Sequence, residues 1–345
     1  MIRYLALVAV LTCLAACTAP AAPDGRAPTS TTAPDYPEGY TESPEAGRSC
    51  PDAPGGSLDP AAGPLGPDGR PDGDTVRRIR AEGLVVGVSQ TAQFLSTRDL
   101  ATGELTGFEV EIAREVAAAL GLPAGGAGLD LVSLPTGRRL LALKTSVNEE
   151  KRSPEIREVD LVIASVSVTC GREQEYGLRY SRPYRDTHSG LLVRSGLSGV
   201  TGPQDLTGRK VCAGDKTTNS DEILEIRDEQ RRRDPGRALV AVTVSDTSDC
   251  LMLLQRGLVD AVYSDVVILL GYQYQTPGTV LLDYRHPRSV KTAVAVSGEQ
   301  PDLVRFVNRV LDDLRGGRLE AIYDEQFARA PTKLPLRIPD EPYQR

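Results

Sequence analysis

A chain of 345 residues with 40% hydrophobic side chains and a formal net charge of −7 is long enough for a two-domain body. The mild acidic excess excludes a nucleic-acid partner, because phosphate binding needs clustered Lys and Arg, and the single basic run Arg231-Arg232-Arg233 stands among Asp228, Glu229 and Asp234 as a solvated helix end. Two isolated histidines, His188 and His286, and the lack of any Cys-x-x-Cys spacing argue against a metal site, and no cofactor is expected.

In chain order, Arg3 is followed by an apolar run from Tyr4 to Ala16, shorter than the roughly 20 residues of a spanning helix, so residues 1–16 read as a signal peptide. The run ends Leu14-Ala15-Ala16-Cys17, which resembles the lipobox of bacterial lipoproteins. That resemblance implies lipidation of Cys17 and an anchor on the extracytoplasmic face of the cell membrane. The alternative is ordinary secretory cleavage with Cys17 left as a free thiol. Residues 17–74 are dominated by Pro, Ala, Gly, Ser and Thr, the composition of an extended, mobile tether, whose ~55 residues would reach about 40 Å.

With Cys13 discarded and Cys17 lipidated, Cys50, Cys170, Cys212 and Cys250 remain, and three pairings are open to them. We favour Cys212 with Cys250, closing a loop of about forty residues worth about 4 kcal/mol on the chain-entropy argument. We pair Cys50 with Cys170, which would pin the later part of the tether to the body.

The globular part opens with a helix around Val76 to Glu82 and a strand at Leu84 to Val88. A second helix follows, in which Val110, Ala113, Val116, Ala117 and Leu120 recur at helical spacing while Glu109, Glu111, Arg114 and Glu115 occupy the other face; Gly121-Leu122-Pro123 stops it. Gly137 to Lys144 reads as a short helix and the charged stretch 145–158 as a surface insertion. The strand Val159 to Ala164 then runs into Ser165-Val166-Ser167-Val168-Thr169-Cys170-Gly171-Arg172. Hydroxyls and a guanidinium at the carboxyl end of an apolar strand are placed where an open α/β sheet leaves room for a ligand, and the arginine fork suits a carboxylate.

A strand at Ser189 to Val193 is followed by a second α/β set: Lys210-Val211-Cys212, a helix from about Asn219 to Arg232, a strand at Ala238 to Val244, a helix at Asp249 to Gly257 and a strand at Asp260 to Tyr263. The chain returns through the strand Ala293 to Val296 and a helix carrying Leu303, Phe306, Val307, Val310 and Leu314 on one face; beyond Ala330 the Pro-rich tail shows no core pattern.

These parts, in this order, resemble the extracellular solute-binding proteins of amino-acid ABC transporters, above all the lipoprotein glutamine/glutamate-binding type, over roughly Val76 to Phe327. The resemblance rests on Val86-Gly87-Val88, on Gly103 to Ala113, on Asp160 to Arg172, and on Val259-Asp260-Ala261-Val262 with Asp265. It implies an α/β, two-lobed, periplasmic-binding-protein-like type II fold with a two-strand hinge: residues 75–193 and 287–330 as lobe 1, 194–286 as lobe 2, and 331–345 as a tail. It also implies a monomeric binding protein, not an enzyme, that holds an amino acid between its lobes for an ABC importer.

By the same resemblance, Arg172 meets the α-carboxylate, Ser165, Ser167 and Thr169 form a polar shelf, Asp265 pairs with the ammonium, and Thr217 and Thr218 meet the carboxylate from lobe 2. Opposed charges with a helix amino terminus on the carboxylate side suit a zwitterion. Phe94 would cover the ligand's aliphatic part or simply pack in the core, and Lys216 would meet an acidic side chain, favouring glutamate or aspartate. Read blandly, Arg172 pairs with Glu173 or Glu175 on the surface, Asp265 caps the following helix, and Lys216 is solvated. The chain departs from the family at Ser89, where Asp is common, at Lys216, and at Lys291-Thr292-Ala293.

Gly214-Asp215-Lys216-Thr217 fails the glycine spacing of a phosphate loop, and no Gly-x-Ser-x-Gly elbow appears. Two other uses of such a fold are a ligand sensor for a membrane signalling partner and a dehydratase; a fused glycan-cleaving domain is not expected, since little chain follows Phe327.

Overall fold

The computed structural model describes residues 34–45, 50, 54–123 and 128–344; the expected signal peptide and Cys17 lie outside them. The chain divides into two units, Met1–Tyr36 and Pro37–Arg345, and every element below belongs to the second.

Leu84–Val88 sits between Leu129–Ser133 and Leu161–Ser167, parallel to both, and Ser289–Ser297 adds to Leu161–Ser167 in the antiparallel sense. Every residue of Leu161–Ser167 is buried, as expected of a strand covered on both faces. The helix Phe108–Ala119 packs its Val110, Ala113, Val116 and Ala117 into this lobe's core. Gly107 before it has φ 128°, and a Cβ there would lie 2.5 Å from the Leu95 carbonyl oxygen, so only glycine brings the helix this close.

Lobe 2 repeats the plan: Lys210–Gly214 lies between Val240–Val244 and Ala261–Asp265, all parallel. The disulfide Cys212–Cys250 ties its central strand to the helix Thr247–Gln255, and Cys50–Cys170 forms as well.

Two long strands connect the lobes. Residues 185–188 of Arg185–Arg194 pair with residues 289–292 of Ser289–Ser297, and the two strands then part. Ser189 to Val193 continue along Ala261–Asp265, while Thr292 to Val296 continue along Leu161–Ser167. This corrects the expected boundary after Val193: the hinge strand belongs to lobe 2 from Ser189 onward, because that is where its ladder partner changes.

Three further expectations are corrected. The described residues of the stretch read as tether, from Pro37 on, are part of the body: Thr41–Glu42 adds an antiparallel edge strand to Val240–Val244, and the Ser57 hydroxyl donates to the Tyr180 carbonyl. Backbone and polar side-chain hydrogen bonds hold them, so no apolar period announced them. The tail docks Leu334, Leu336 and Ile338 on the lobe 1 core. The 145–158 stretch is anchored by Asn148, fully buried, whose amide donates to the carbonyls of Leu140 and Leu143.

Candidate ligand-binding cleft

Asp265 ends the strand Ala261–Asp265 at the N-cap position of the helix Val266–Gln275, yet its side chain makes no capping bond. Its carboxylate turns instead to the Asn219 amide at 3.4 Å and to the Arg185 guanidinium at 3.9 Å. Burial raises its pKa, and Arg185 and Asn219 pull the other way.

From lobe 1, the Ser165 N–H and hydroxyl both donate to Glu109 Oε1, at 2.8 and 2.7 Å, and Arg185 Nη2 donates to Ser165 Oγ at 3.1 Å. Glu109 is fully buried, not on the outer helix face where its spacing put it; Tyr184 donates a third bond to the same oxygen. Arg139, in the 3-10 turn Arg139–Ala142, is 9% exposed and makes one long bond, 3.4 Å, to the Ser165 carbonyl. Among the described residues no carboxylate reaches it within ion-pair distance. Burial, with Arg172 nearby, lowers its pKa to about 10, which still leaves it charged at neutral pH.

Arg139 and Asp265 line one polar cavity between the lobes, with the hydroxyls of Thr91, Thr136, Ser165, Ser167, Thr217 and Ser264 around them. Its volume, about 30 Å³, admits a water or two and no amino acid, so the lobes are closed. Direct bonds hold the closure: Gly137 N–H to the Ser245 carbonyl at 2.9 Å, the Thr91 hydroxyl to Asp246 at 3.5 Å, and the Thr247 hydroxyl to Thr136 Oγ1 at 3.2 Å. Val266, Val267 and Leu270 of lobe 2 reach into the lobe 1 core.

Arg172 takes a different position from the one expected. It is buried and donates to the carbonyls of Ser167 at 2.9 Å and of Lys216, across the cleft, at 3.0 Å. Ser167 and Thr218 touch through their hydroxyls at 3.1 Å. Arg172, Thr169, Thr218 and Lys216 border a larger groove of about 1080 Å³ beside the hinge strands, and Ser167 borders both spaces. Arg172 and Asp265 therefore do not face each other across one gap.

Thr169 and Thr217 serve as helix caps, accepting from Arg172 N and Ser220 N, and only Thr217 also lines the small cavity. Lys216 is exposed and offers its carbonyl rather than its ammonium. Phe94 packs on Tyr274 and Phe327 at 5.1 and 5.2 Å, in the core and not on the cavity. Phe94, Ser165 and Lys216, with φ of 69°, 50° and 54°, hold the left-handed conformation that costs side-chain-bearing residues of order 1–3 kcal/mol.

The sequence pattern of the bacterial extracellular solute-binding proteins, family 3, matches residues 84–329. The chain belongs to that family. Among family relatives, the L-cystine-binding protein TcyJ of Escherichia coli K12 is 27% identical over 234 residues, 67% of this chain and 77% of its own. The membrane-bound lytic murein transglycosylase F of Pseudomonas putida W619 is 24% identical over 258 residues, 73% of this chain and 48% of that protein. The chain thus spans about half the length of such transglycosylase relatives.

Solved structures share the family fold. A mutant of the arginine-binding protein of T. maritima superposes with a TM-score of 0.59 at 24% identity, covering 74% of this chain and all of that one. An ancestral arginine-binding protein bound to glutamine gives 0.59 at 23%, covering 72% and 99%.

Arg139, Glu109, Arg185, Asn219 and Asp246 escaped the sequence reading of this family 3 cleft. Arg139 follows Arg138 and looks like a surface pair; the signal that could have found it is its place among Leu140, Leu141 and Ala142, directly after the strand-end segment Ser133-Leu134-Pro135.

Proposed function

We propose that this family 3 protein is an extracytoplasmic lipoprotein that captures an acidic or amide amino acid, of the glutamate, aspartate or glutamine type, between its lobes and presents it to an ABC importer. One observation carries the ligand class: Arg139, a buried guanidinium with no carboxylate partner among the described residues, lines the same cavity as Asp265 from the opposite lobe. An unpaired buried cation is costly, and a ligand carboxylate removes that cost. The ammonium goes to Asp265, and the second carboxylate or amide finds the surrounding hydroxyls and the amino terminus of the helix Thr218–Arg233. Entry requires the lobes to part about the paired hinge strands, and ligand contacts to both lobes then favour reclosure.

The names of the relatives support amino-acid capture, since TcyJ is an L-cystine-binding protein and the ancestral structure holds glutamine. The lipobox-like Leu14-Ala15-Ala16-Cys17 supports the anchor, and no described helix is long and apolar enough to cross a membrane. Thermal melting against the twenty amino acids tests the reading. Ligand at a hundred times its dissociation constant adds about 2.7 kcal/mol. Glutamate, aspartate or glutamine should give the largest shift; no shift with any amino acid overturns the proposal.

A further inference from the structure

The segment before the first lobe touches both lobes. Its backbone lies along the edge of lobe 2: Thr41 and Glu42 pair with Thr243 and Val242, Ser43 N–H donates to the Ala241 carbonyl at 2.7 Å, and Ser245 N–H donates to the Glu38 carbonyl at 3.1 Å. Arg227 of lobe 2 donates to the Pro44 carbonyl at 2.6 Å, and Lys210 pairs with Glu42. The fit is close, since a Cβ on Gly39, at φ 71°, would lie 2.2 Å from Ser245 Oγ.

On lobe 1 the attachment is covalent at Cys50–Cys170, and Gly55 N–H donates to Glu173 at 2.8 Å. The Glu38 side chain also pairs with Arg138 of lobe 1, beside the Gly137–Ser245 closure bond.

We propose that residues 38–45, joined along the chain to the Cys50–Cys170 bridge, are a strap that ties the lobes and sets how readily the cleft opens. Six residues lie between Ser43 and Cys50, seven Cα steps in all, so those two attachment points cannot move farther apart than about 25 Å while both hold. The ends differ in kind. The disulfide is permanent outside the cell, whereas a two-residue edge strand is the sort of weak local structure that detaches on its own. Opening the cleft widely then requires the edge strand to peel from Val240–Val244, while the disulfide keeps the freed strand close and returns it. Ligand exchange inherits that step; this consequence rests on the proposed binding role, but the strap itself does not.

The test is hydrogen exchange with no ligand added, on the protein carrying the strap, comparing wild type with Cys50→Ser/Cys170→Ser and with Ser43→Pro. Proline at 43 removes the bond to Ala241 and cannot adopt φ 52°. Both variants should speed exchange at the Gly137 amide about tenfold while the strands Leu84–Val88 and Lys210–Gly214 keep their protection. Unchanged Gly137 exchange, acceleration in one variant only, or a uniform rise that includes both strands would overturn the strap. None of these outcomes depends on whether an amino acid binds.

Discussion

Arg185, on the hinge strand, faces Asp265 of lobe 2 at 3.9 Å without a hydrogen bond, and its Nε and Nη1 are buried with no partner. The Asp265 carboxylate thus has a cation nearby, at a distance where each keeps much of its desolvation cost; under the proposed function, a ligand ammonium would improve on that contact.

That relationship gives a pH dependence. Burial, the largest influence on Asp265, raises its pKa above the ordinary aspartate value, with Arg185 opposing. Only the ionised form attracts an ammonium, so affinity is full above the raised value and falls as pH drops through it, earlier than for an ordinary aspartate. Calorimetric titrations across pH 4 to 7 should show this decline. Asp265→Asn should bind weakly and flatten the profile; a wild-type affinity independent of pH over that range contradicts the role.

Arg139 gives a prediction with opposite signs. Its pKa is lowered to about 10, chiefly by burial, which means the charged form is penalised in the fold at every pH below that value. Arg139→Met removes the penalty and keeps the volume, so the ligand-free protein should gain on the order of 1–3 kcal/mol in urea unfolding. The same variant should lose the melting shift given by acidic amino acids. A variant that is less stable yet binds normally would make Arg139 a structural residue.

The Cys212–Cys250 bridge, with a sequence separation of 38, should be worth about 4 kcal/mol through the unfolded chain. Replacing both by alanine should lower the urea midpoint accordingly without abolishing ligand binding, because neither cysteine lines the cavity. Loss of binding at full stability would show that the bridge shapes the cleft.

What was legible in the sequence is what periodicity and strand ends announce. The apolar run Val159 to Ala164, the amphipathic helix Phe108–Ala119 and the second α/β set carried their patterns on the chain, whereas the paired hinge residues 185–188 and 289–292 lay outside the strands read from sequence. Ser165 was read as a hydroxyl at a strand end, whereas Asp265 and Thr217 came only from the family resemblance; all three line the small cavity. The misses share a physical cause: a single buried charge adds nothing to an apolar period, whether it sits in a turn or on a helix. Arg139 sits in a 3-10 turn read as an ordinary helix, and Glu109 sits on a helix whose other acidic residues face outward. Residues 38–45, Cys50 and the tail are held by hydrogen bonds, a disulfide and a few isolated apolar residues, so composition alone made them look detached.

Arg172 makes other contacts than those the resemblance implied. Its guanidinium donates to a carbonyl in each lobe, Ser167 in the first and Lys216 in the second. The Lys216 carbonyl is offered by a residue at φ 54°, a conformation that costs energy and that the Arg172 bond helps to hold. Arg172→Lys should therefore fail to restore what Arg172→Ala removes, because a single ammonium cannot reproduce a planar fork spanning two carbonyls. Both substitutions should weaken amino-acid binding by on the order of 2–5 kcal/mol in calorimetry and shift the ligand-free protein toward open lobes in solution scattering. Were Arg172→Lys to bind as wild type, a positive charge alone would suffice, and Arg172 would be a direct electrostatic partner of the ligand rather than a staple between the lobes.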